Sequence, residues 1–253
     1  MRRINPVTRL GAAIVLTFPL LLSLDWVSAT VACCFDIGLY LAADTAHWRP
    51  RLATLCRRMI PLFLAAPLAG LTMALYGKAE GQIYFNWGFM VISDQSVAYG
   101  IAIMVRVVAL GLACLATLSD TDPTDMADGL TQVMHLPSRF VLGTLAGLRL
   151  VGALQRDWKS MELARRARGL GDSQALKRFA TLAFALLVSA IRRGATLATA
   201  MEARGFSGGQ RTWARESRVG RYDAIYLAAA IAIIALALLT AFWTGNFHWI
   251  GAL

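Results

Sequence analysis

The amino-acid sequence predicts an all-α integral membrane protein with about five transmembrane helices and two long helices on the cytoplasmic side. The first indication is composition, since 57% of the 253 residues are hydrophobic and only 16% are charged. Soluble domains carry about 25% charged residues. The second is a mean hydropathy of +0.56. The third is the presence of five apolar runs separated by polar segments, as expected for helices that span a bilayer.

The first two apolar runs, from Leu10 to Leu24 and from Val27 to Ala43, are short. Because roughly 20 residues are needed to cross the hydrocarbon core, these helices require tilt, local thinning of the bilayer or burial among neighbours. No small-x-small cleavage pattern separates the basic first residues from the later spans. The first run is therefore expected to be retained rather than removed as a signal peptide.

Three longer runs complete the predicted membrane region: Met59 to Tyr76, Val97 to Leu118 and Ala224 to Trp243. The first of these contains two prolines, which a membrane helix tolerates when neighbours satisfy the freed carbonyl groups. The segment from Gly77 to Ser96 is polar with several aromatic residues. That composition predicts an interfacial connection or a short re-entrant segment.

Ionisable residues inside the predicted spans are candidates for function. Arg106 is expected either to pair with Asp36 or to extend towards the membrane surface, and Asp36 alternatively forms a hydrogen bond with a neighbouring helix. Together with Asp44 these residues are the candidates for an intramembrane enzyme, but they form no recognisable catalytic arrangement. The four cysteines and three histidines lack metal-ligand spacing, so we expect no metal or cofactor site in this chain.

Residues 119–223 contain no convincing span and are predicted to form helices. The segment from Ser119 to Asp125 is rich in N-cap residues and predicts the start of a short helix. A long helical pattern runs from Leu136-Pro137 to Arg168, and a second runs from about Gln174 to Arg204. The apolar stretch from Phe179 to Ile191 is too short to cross the bilayer and predicts a core or interfacial position.

The distribution of basic residues orients the chain. Of the 25 Lys and Arg residues, 23 lie in residues 1–9, 44–58 and 119–223. Since cytoplasmic loops carry the excess of basic residues, these segments are predicted to be inside, with the N-terminus inside and the C-terminus outside. The predicted organisation is a membrane region (1–118), cytoplasmic helices (119–223), and a last transmembrane helix with its tail (224–253).

One short motif occurs twice in the cytoplasmic region. Ala164–Leu170 and Ala200–Phe206 both read A-x-x-A-R-G followed by a large apolar residue. Arginine suits the negative end of a helix dipole, and glycine suits the left-handed position just beyond it, so each motif is at least a helix terminus. Because Arg recognises carboxylates with two hydrogen bonds, the pair also predicts two docking points for an acidic partner. The residues assigned to docking are Ala167, Arg168, Gly169, Ala203, Arg204 and Gly205.

No nucleotide-binding motif, nucleophile elbow or zinc-protease motif is present in the sequence. We therefore expect no catalytic residues in this chain. A transport protein of this form must take its energy from a partner. Two equivalent docking points suit a partner with two equivalent clefts, such as a dimer of ATPases.

The sequence resembles the transmembrane (T) components of energy-coupling factor (ECF) transporters, the cobalt-transporter Q-type proteins. The doubled A-R-G motif is the most specific part of the resemblance, which extends over most of the chain. The remaining parts are Asn5–Leu10, Asp122–Asp128, Leu136–Arg139 and Ala146–Arg149.

The resemblance implies a coupling subunit of an ATP-driven importer of a micronutrient, which is a vitamin such as biotin or a cobalt or nickel ion. T components join two ABC-type ATPase subunits, which bind ATP and Mg²⁺, to a membrane-embedded substrate-binding S component. By this resemblance Arg168 and Arg204 each meet acidic groups on one ATPase. Ala167 and Ala203 allow close approach, and Gly169 and Gly205 end the helices. The location implied is the bacterial cytoplasmic (inner) membrane.

The chain departs from the family pattern after Arg149, where many members have a proline shortly afterwards. Here Leu150, Val151 and Gly152 follow. A proline kink is therefore not expected at this point, although Gly152 permits bending.

A second hypothesis is a non-transport membrane scaffold whose basic cytoplasmic helices bind anionic lipid or a regulatory protein. Residues 119–223 contain 16 basic and 10 acidic groups, and the acidic groups are interspersed among the basic ones. This modest and mixed charge is weak for a lipid surface and does not favour nucleic-acid binding. The transporter interpretation is therefore preferred.

Overall fold

The computed structural model describes residues 4–23, 25–42, 48–76, 83–87, 90–169, 175–206, 213 and 215–244. Within these residues the chain is helical apart from one short β-hairpin, which confirms the all-α prediction. In chain order the elements are α1 (Pro6–Leu22), α2 (Trp26–Ala42), α3 (Trp48–Tyr76), β1 (Ile83–Trp87), β2 (Met90–Ser93), α4 (Asp94–Leu118), α5 (Pro123–Gln132), α6 (Ser138–Ala167), α7 (Ala175–Ala203) and α8 (Arg221–Trp243). The chain divides into two compact units, one formed by Met1–Asp122 with Arg218–Leu253 and the other by Pro123–Ser217.

The first unit contains the five predicted apolar helices. Among the described residues, α4, α8 and the Leu52–Tyr76 part of α3 are long and apolar enough to cross a membrane. Helices α1 and α2 have 17 residues each, as their short apolar runs predicted. Helix α3 begins at Trp48, well before the predicted apolar run, because the basic segment before Met59 is also helical.

Small side chains form the core where α1, α2, α4 and α8 meet. Ala12, Ala32, Ala109, Ala113 and Ala230 are completely buried there. Small residues allow membrane helices to approach closely, and the resulting van der Waals contacts replace the hydrophobic driving force that lipid cannot supply.

Helices α3 and α4 approach each other closely at a pair of glycines. A Cβ atom added to Gly100 would lie 2.8 Å from the backbone oxygen of Gly70, and one added to Gly70 would collide with Met104. The absence of both side chains therefore permits this crossing.

A buried carboxylate joins the starts of the first and last helices. The backbone N–H of Asn5 donates to Oδ1 of Asp223 at 2.6 Å, and the N–H of Gly220 donates to Oδ2 at 2.7 Å. Asp223 is 2% exposed. Asn5 in turn caps α1 by accepting a hydrogen bond from the N–H of Val7. These contacts hold α1 against α8 at one end of the unit.

The polar segment before α4 forms an antiparallel hairpin in which Phe85 pairs with Ile92 and Trp87 with Met90. Residues 77–82 and 88–89 of this segment lie outside the described residues, as does Asp44. The hairpin ends at Ser93, which caps α4 together with Ser96. The sequence predicted the connection here but not its strand conformation.

The Asp36–Arg106 pair is not formed. Neither oxygen of Asp36, and neither Nε nor Nη2 of Arg106, has a hydrogen-bond partner within the described part of the chain. Both side chains are buried.

The second unit contains α5, α6 and α7, whose bounds lie close to the predicted ones. Its last residues return to α5, where the side chain of Gln132 donates to the carbonyl of Arg215 and accepts from the N–H of Ser217, both at 2.8 Å. Arg215 also lies 3.3 Å from Asp125. These polar contacts hold the last residues of the second unit against α5.

Candidate coupling site

The two A-R-G motifs end the two long helices in the same way. Helix α6 ends at Ala167 and α7 at Ala203, and in each motif the arginine follows the last helical residue. Gly169 has φ +71° and Gly205 has φ +72°. Glycine adopts this left-handed conformation without the steric cost that a Cβ atom imposes. The predicted helix termini are therefore confirmed.

Backbone hydrogen bonds show the type of terminus. The N–H of Gly205 donates to the carbonyl of Glu202 at 2.9 Å, and the N–H of Phe206 donates to that of Met201 at 3.0 Å. These are the two bonds of a Schellman motif.

In the first copy, the N–H of Gly169 donates to the carbonyl of Arg166 at 3.0 Å, which is the equivalent of the first of these bonds. The apolar residue of that copy, Leu170, lies outside the described residues. The two copies therefore share the glycine conformation and the hydrogen bond that it makes.

The side chains of the motifs are free to meet a partner. Ala167, Arg168, Ala203 and Arg204 are all exposed. Among the described residues neither arginine side chain forms an ion pair or a hydrogen bond. The small alanines leave the arginines prominent at each helix end. Their role in docking is not tested by this geometry and stays a prediction.

The two motifs lie far apart within the second unit. Nη1 of Arg165, in the last turn of α6, donates to the carbonyl of Arg178, in the first turn of α7, at 3.4 Å. Arg204 follows Arg178 by 26 positions along a continuous helix. At 1.5 Å per residue Arg204 lies about 39 Å along α7 from Arg178, so the two motifs lie near opposite ends of α7. The sequence identified the pair but not this separation.

Two side-chain contacts join the bodies of the long helices. The rings of Trp158 and Phe179 have centroids 5.7 Å apart, and Arg193 forms an ion pair with Asp157 at 2.7 Å. The sequence analysis did not identify Asp157 and Arg193. One feature of the sequence could have indicated this pair: Asp157 and Arg193 are 36 positions apart, and so are the two motif arginines.

No group of three His, Cys, Asp or Glu residues suited to a metal ion occurs in the ranges that the structure describes. Asp128 lies on α5. Partial burial, together with the neighbouring carboxylate of Asp125, raises its pKa despite the opposing charge of Arg215. The charged form of Asp128 is therefore less favourable in the folded chain than that of a fully solvated carboxylate.

Apolar helices of membrane-spanning length, together with two long helices that end in matched exposed arginines, define a helical membrane protein with two matched helix ends. The family profile described as "Cobalt transport protein" (CbiQ) matches residues 1–213, and the chain belongs to this family.

Similar proteins are named "Energy-coupling factor transporter transmembrane protein EcfT". The one from Limosilactobacillus fermentum is 28% identical over 182 residues, which cover 66% of this chain and 68% of the relative. That from Lacticaseibacillus paracasei is 33% identical over 173 residues, covering 63% and 65%. That from Bacillus selenitireducens is 26% identical over 259 residues, covering 97% and 94%. These matches confirm the resemblance to the transmembrane component of an ECF transporter.

Proposed function

We propose that this chain couples two ABC-type ATPase subunits to a membrane-embedded S component that captures a micronutrient. ATP and Mg²⁺ bind in the ATPases, and this chain contributes no catalytic residue. The S component selects the cargo, which is a vitamin such as biotin or a cobalt or nickel ion. The names of the family and of the similar proteins support the transport role.

The observation that carries the proposal is the pair of matched helix ends, both exposed and near opposite ends of α7. Each guanidinium is positioned to donate two hydrogen bonds to a carboxylate on a partner surface. One chain with two equal ends holds two copies of one subunit. Attachment at both ends also strengthens binding, because the second contact forms within an existing complex.

Movement follows from the stiffness of the helices. Closure of the ATPases on ATP brings their docking grooves together and so displaces the ends of α6 and α7. Because α6 has 30 residues and α7 has 29, a displacement at one end is carried along the helix to surfaces remote from the ATPases. The S component then reorients and releases its cargo inwards.

An exposed apolar stripe on α7 supports a membrane-embedded partner. Phe184, Leu187, Val188 and Ile191 recur with helical spacing on one face and are 44–69% exposed. An apolar surface of this kind requires an apolar neighbour. The S component and the surrounding lipid both supply that chemistry.

The proposed orientation places the docking ends in the cytoplasm, where ATP is available. The second unit and its flanking residues hold most of the basic side chains, which favours the inner side of the bacterial cytoplasmic membrane. The N-terminus is then inside and the C-terminus outside.

The test compares wild type with the Arg168→Ala/Arg204→Ala variant, expressed with the ATPases and S component of the same organism. We expect two ATPase subunits to co-purify with wild type and to be lost from the variant, and uptake of labelled biotin, cobalt or nickel to fall with them. Arg156→Ala is the matched control, since it removes an exposed arginine from α6 outside the motif.

Full uptake by the double variant would refute the docking assignment. If neither form binds an ATPase but both bind phosphatidylglycerol vesicles in a salt-sensitive way, the scaffold hypothesis replaces the transporter one.

A further inference from the structure

The ion pair between Asp157 on α6 and Arg193 on α7 is partly shielded from water. Nη2 of Arg193 lies 2.7 Å from Oδ2 of Asp157 and donates a hydrogen bond to Oδ1 at 2.9 Å. The Asp157 side chain is 25% exposed and that of Arg193 is 46% exposed. The Oδ2 atom itself is inaccessible to solvent and has no hydrogen-bond donor of its own in the described structure. Its charge is therefore compensated mainly by Arg193.

The position of the ion pair follows the repeat of the docking motifs. Asp157 precedes Arg168 by 11 residues, and Arg193 precedes Arg204 by the same number. The ion pair is therefore equally far from both helix ends, about 16 Å along each helix. A contact in this position affects the positions of both helix ends equally.

Little else joins the two helices. Among the described residues, Leu145 is the only buried side chain of α6 and Leu182 the only one of α7. The Trp158–Phe179 contact and the hydrogen bond from Arg165 to the carbonyl of Arg178 lie on the side of the ion pair towards the start of α7. A helix pair with so small a buried interface depends on its polar links for a defined crossing angle.

We propose that the Asp157–Arg193 ion pair is a brace that fixes the angle between α6 and α7, and thereby the distance between the two A-R-G ends. Its consequence for transport rests on the proposed function, since this distance matters only if both ends dock. The brace itself is a property of the chain and is measurable without the ATPases.

The two partners differ in the cost of their removal. Arg193→Ala leaves the shielded Oδ2 of Asp157 without compensation, and a buried charge that loses its partner is expensive. Asp157→Ala leaves only a half-exposed guanidinium, which water solvates. Arg193→Ala is therefore expected to disturb the helix pair more than Asp157→Ala, and the double variant less than Arg193→Ala alone.

The experiment measures the distance between spin labels by pulsed electron paramagnetic resonance, using the full chain in lipid nanodiscs. The labels are placed at Leu163→Cys and Thr199→Cys, which lie one turn before the two ends, with the four native cysteines replaced by serine. We expect a single narrow distance distribution for the otherwise unchanged chain and a broadened or shifted one for Arg193→Ala. The charge-exchanged variant Asp157→Arg/Arg193→Asp should restore the narrow distribution.

Glu162→Ala provides the matched control, because it breaks an equally short 2.7 Å ion pair to Arg166 that lies within α6 alone. This variant should leave the distribution unchanged. The brace is refuted if Arg193→Ala also leaves it unchanged, or if the control alters it as much.

ATPase binding, measured in parallel, separates the two proposals. In Arg193→Ala we expect the affinity for the ATPases to fall roughly fivefold to tenfold, as for the loss of one ordinary hydrogen bond. If the distribution responds but the wild-type chain binds no ATPase, the brace stands and the proposed function fails. If wild type binds the ATPases and the distribution does not respond, the proposed function stands and the brace fails.

Discussion

Replacing Gly205 with alanine should weaken the end of α7 without disturbing its surroundings. Gly205 has φ +72°, and a Cβ atom there would meet nothing within 4 Å. The cost is therefore the backbone cost alone, about 1–2 kcal/mol for a residue with a side chain held in the left-handed region. Because this conformation carries the hydrogen bonds of Gly205 and Phe206, the last turn should open more often and Arg204 should lose its fixed position.

Gly194→Ala is the matched control for this prediction. It adds the same methyl group within α7, and there too a Cβ atom would meet nothing within 4 Å. Gly194 is helical, however, and alanine favours a helix over glycine by about 0.8–1.0 kcal/mol. The same substitution should thus destabilise position 205 and stabilise position 194. Gly205→Asn should recover part of the loss, because asparagine tolerates the left-handed conformation.

Hydrogen exchange of the Gly205 and Phe206 amides measures the effect directly. Local opening that becomes easier by about 1 kcal/mol should speed exchange at these amides roughly fivefold. The same experiment on Gly194→Ala should show exchange that is unchanged or slower. If Gly205→Ala leaves exchange at the helix end unaltered, the terminus does not depend on the glycine and this reasoning is wrong.

Three further predictions concern other parts of the chain. Gly100→Ala should destabilise the membrane unit by about 1–3 kcal/mol, because its Cβ atom would lie 2.8 Å from the backbone oxygen of Gly70. Thermal unfolding in detergent should show this loss of stability. The control Gly38→Ala should be tolerated, because a Cβ atom there would meet nothing within 4 Å. Asp223→Ala should lower the unfolding temperature by leaving the buried N–H of Asn5 unpaired, at a cost of about 1–3 kcal/mol, and an unchanged temperature would contradict this. Asp128 has a raised pKa, so the stabilisation of the folded chain by this group is complete below the ordinary pKa of 3.8. It is lost as the pH rises through the raised pKa. Asp128→Asn should therefore stabilise the chain at neutral pH and make its free energy of unfolding less dependent on pH in this range.

The sequence predicted most reliably what local chemistry determines. The ends of α6 and α7 follow from glycine in the left-handed region and lie within a few residues of the predicted positions. The short α1 and α2 follow from apolar runs that Asp25 interrupts. Each of these features depends on residues that are neighbours in the chain.

Contacts between residues that are far apart in the sequence could not be predicted from local patterns. Asp223 accepts a hydrogen bond from Asn5 across 218 positions, and no local pattern distinguishes it from a solvated carboxylate. For Arg106 the sequence considered Asp36 as a partner, but within the described residues neither oxygen of Asp36 accepts a hydrogen bond. The separation of the two docking motifs likewise depends on the direction in which α7 leaves α6, which residue patterns do not encode.

The central claim is that each A-R-G end contacts one ATPase subunit. Its most direct test is site-specific photo-crosslinking in the assembled complex, with a benzophenone amino acid at Leu163 or at Thr199, one turn before the respective ends. The account predicts one covalent adduct with an ATPase subunit from each position, two adducts on a chain that carries both probes, and none from Phe184 in the apolar stripe of α7. Adducts that are absent from the two end positions, or equally abundant at Phe184, would contradict the claim.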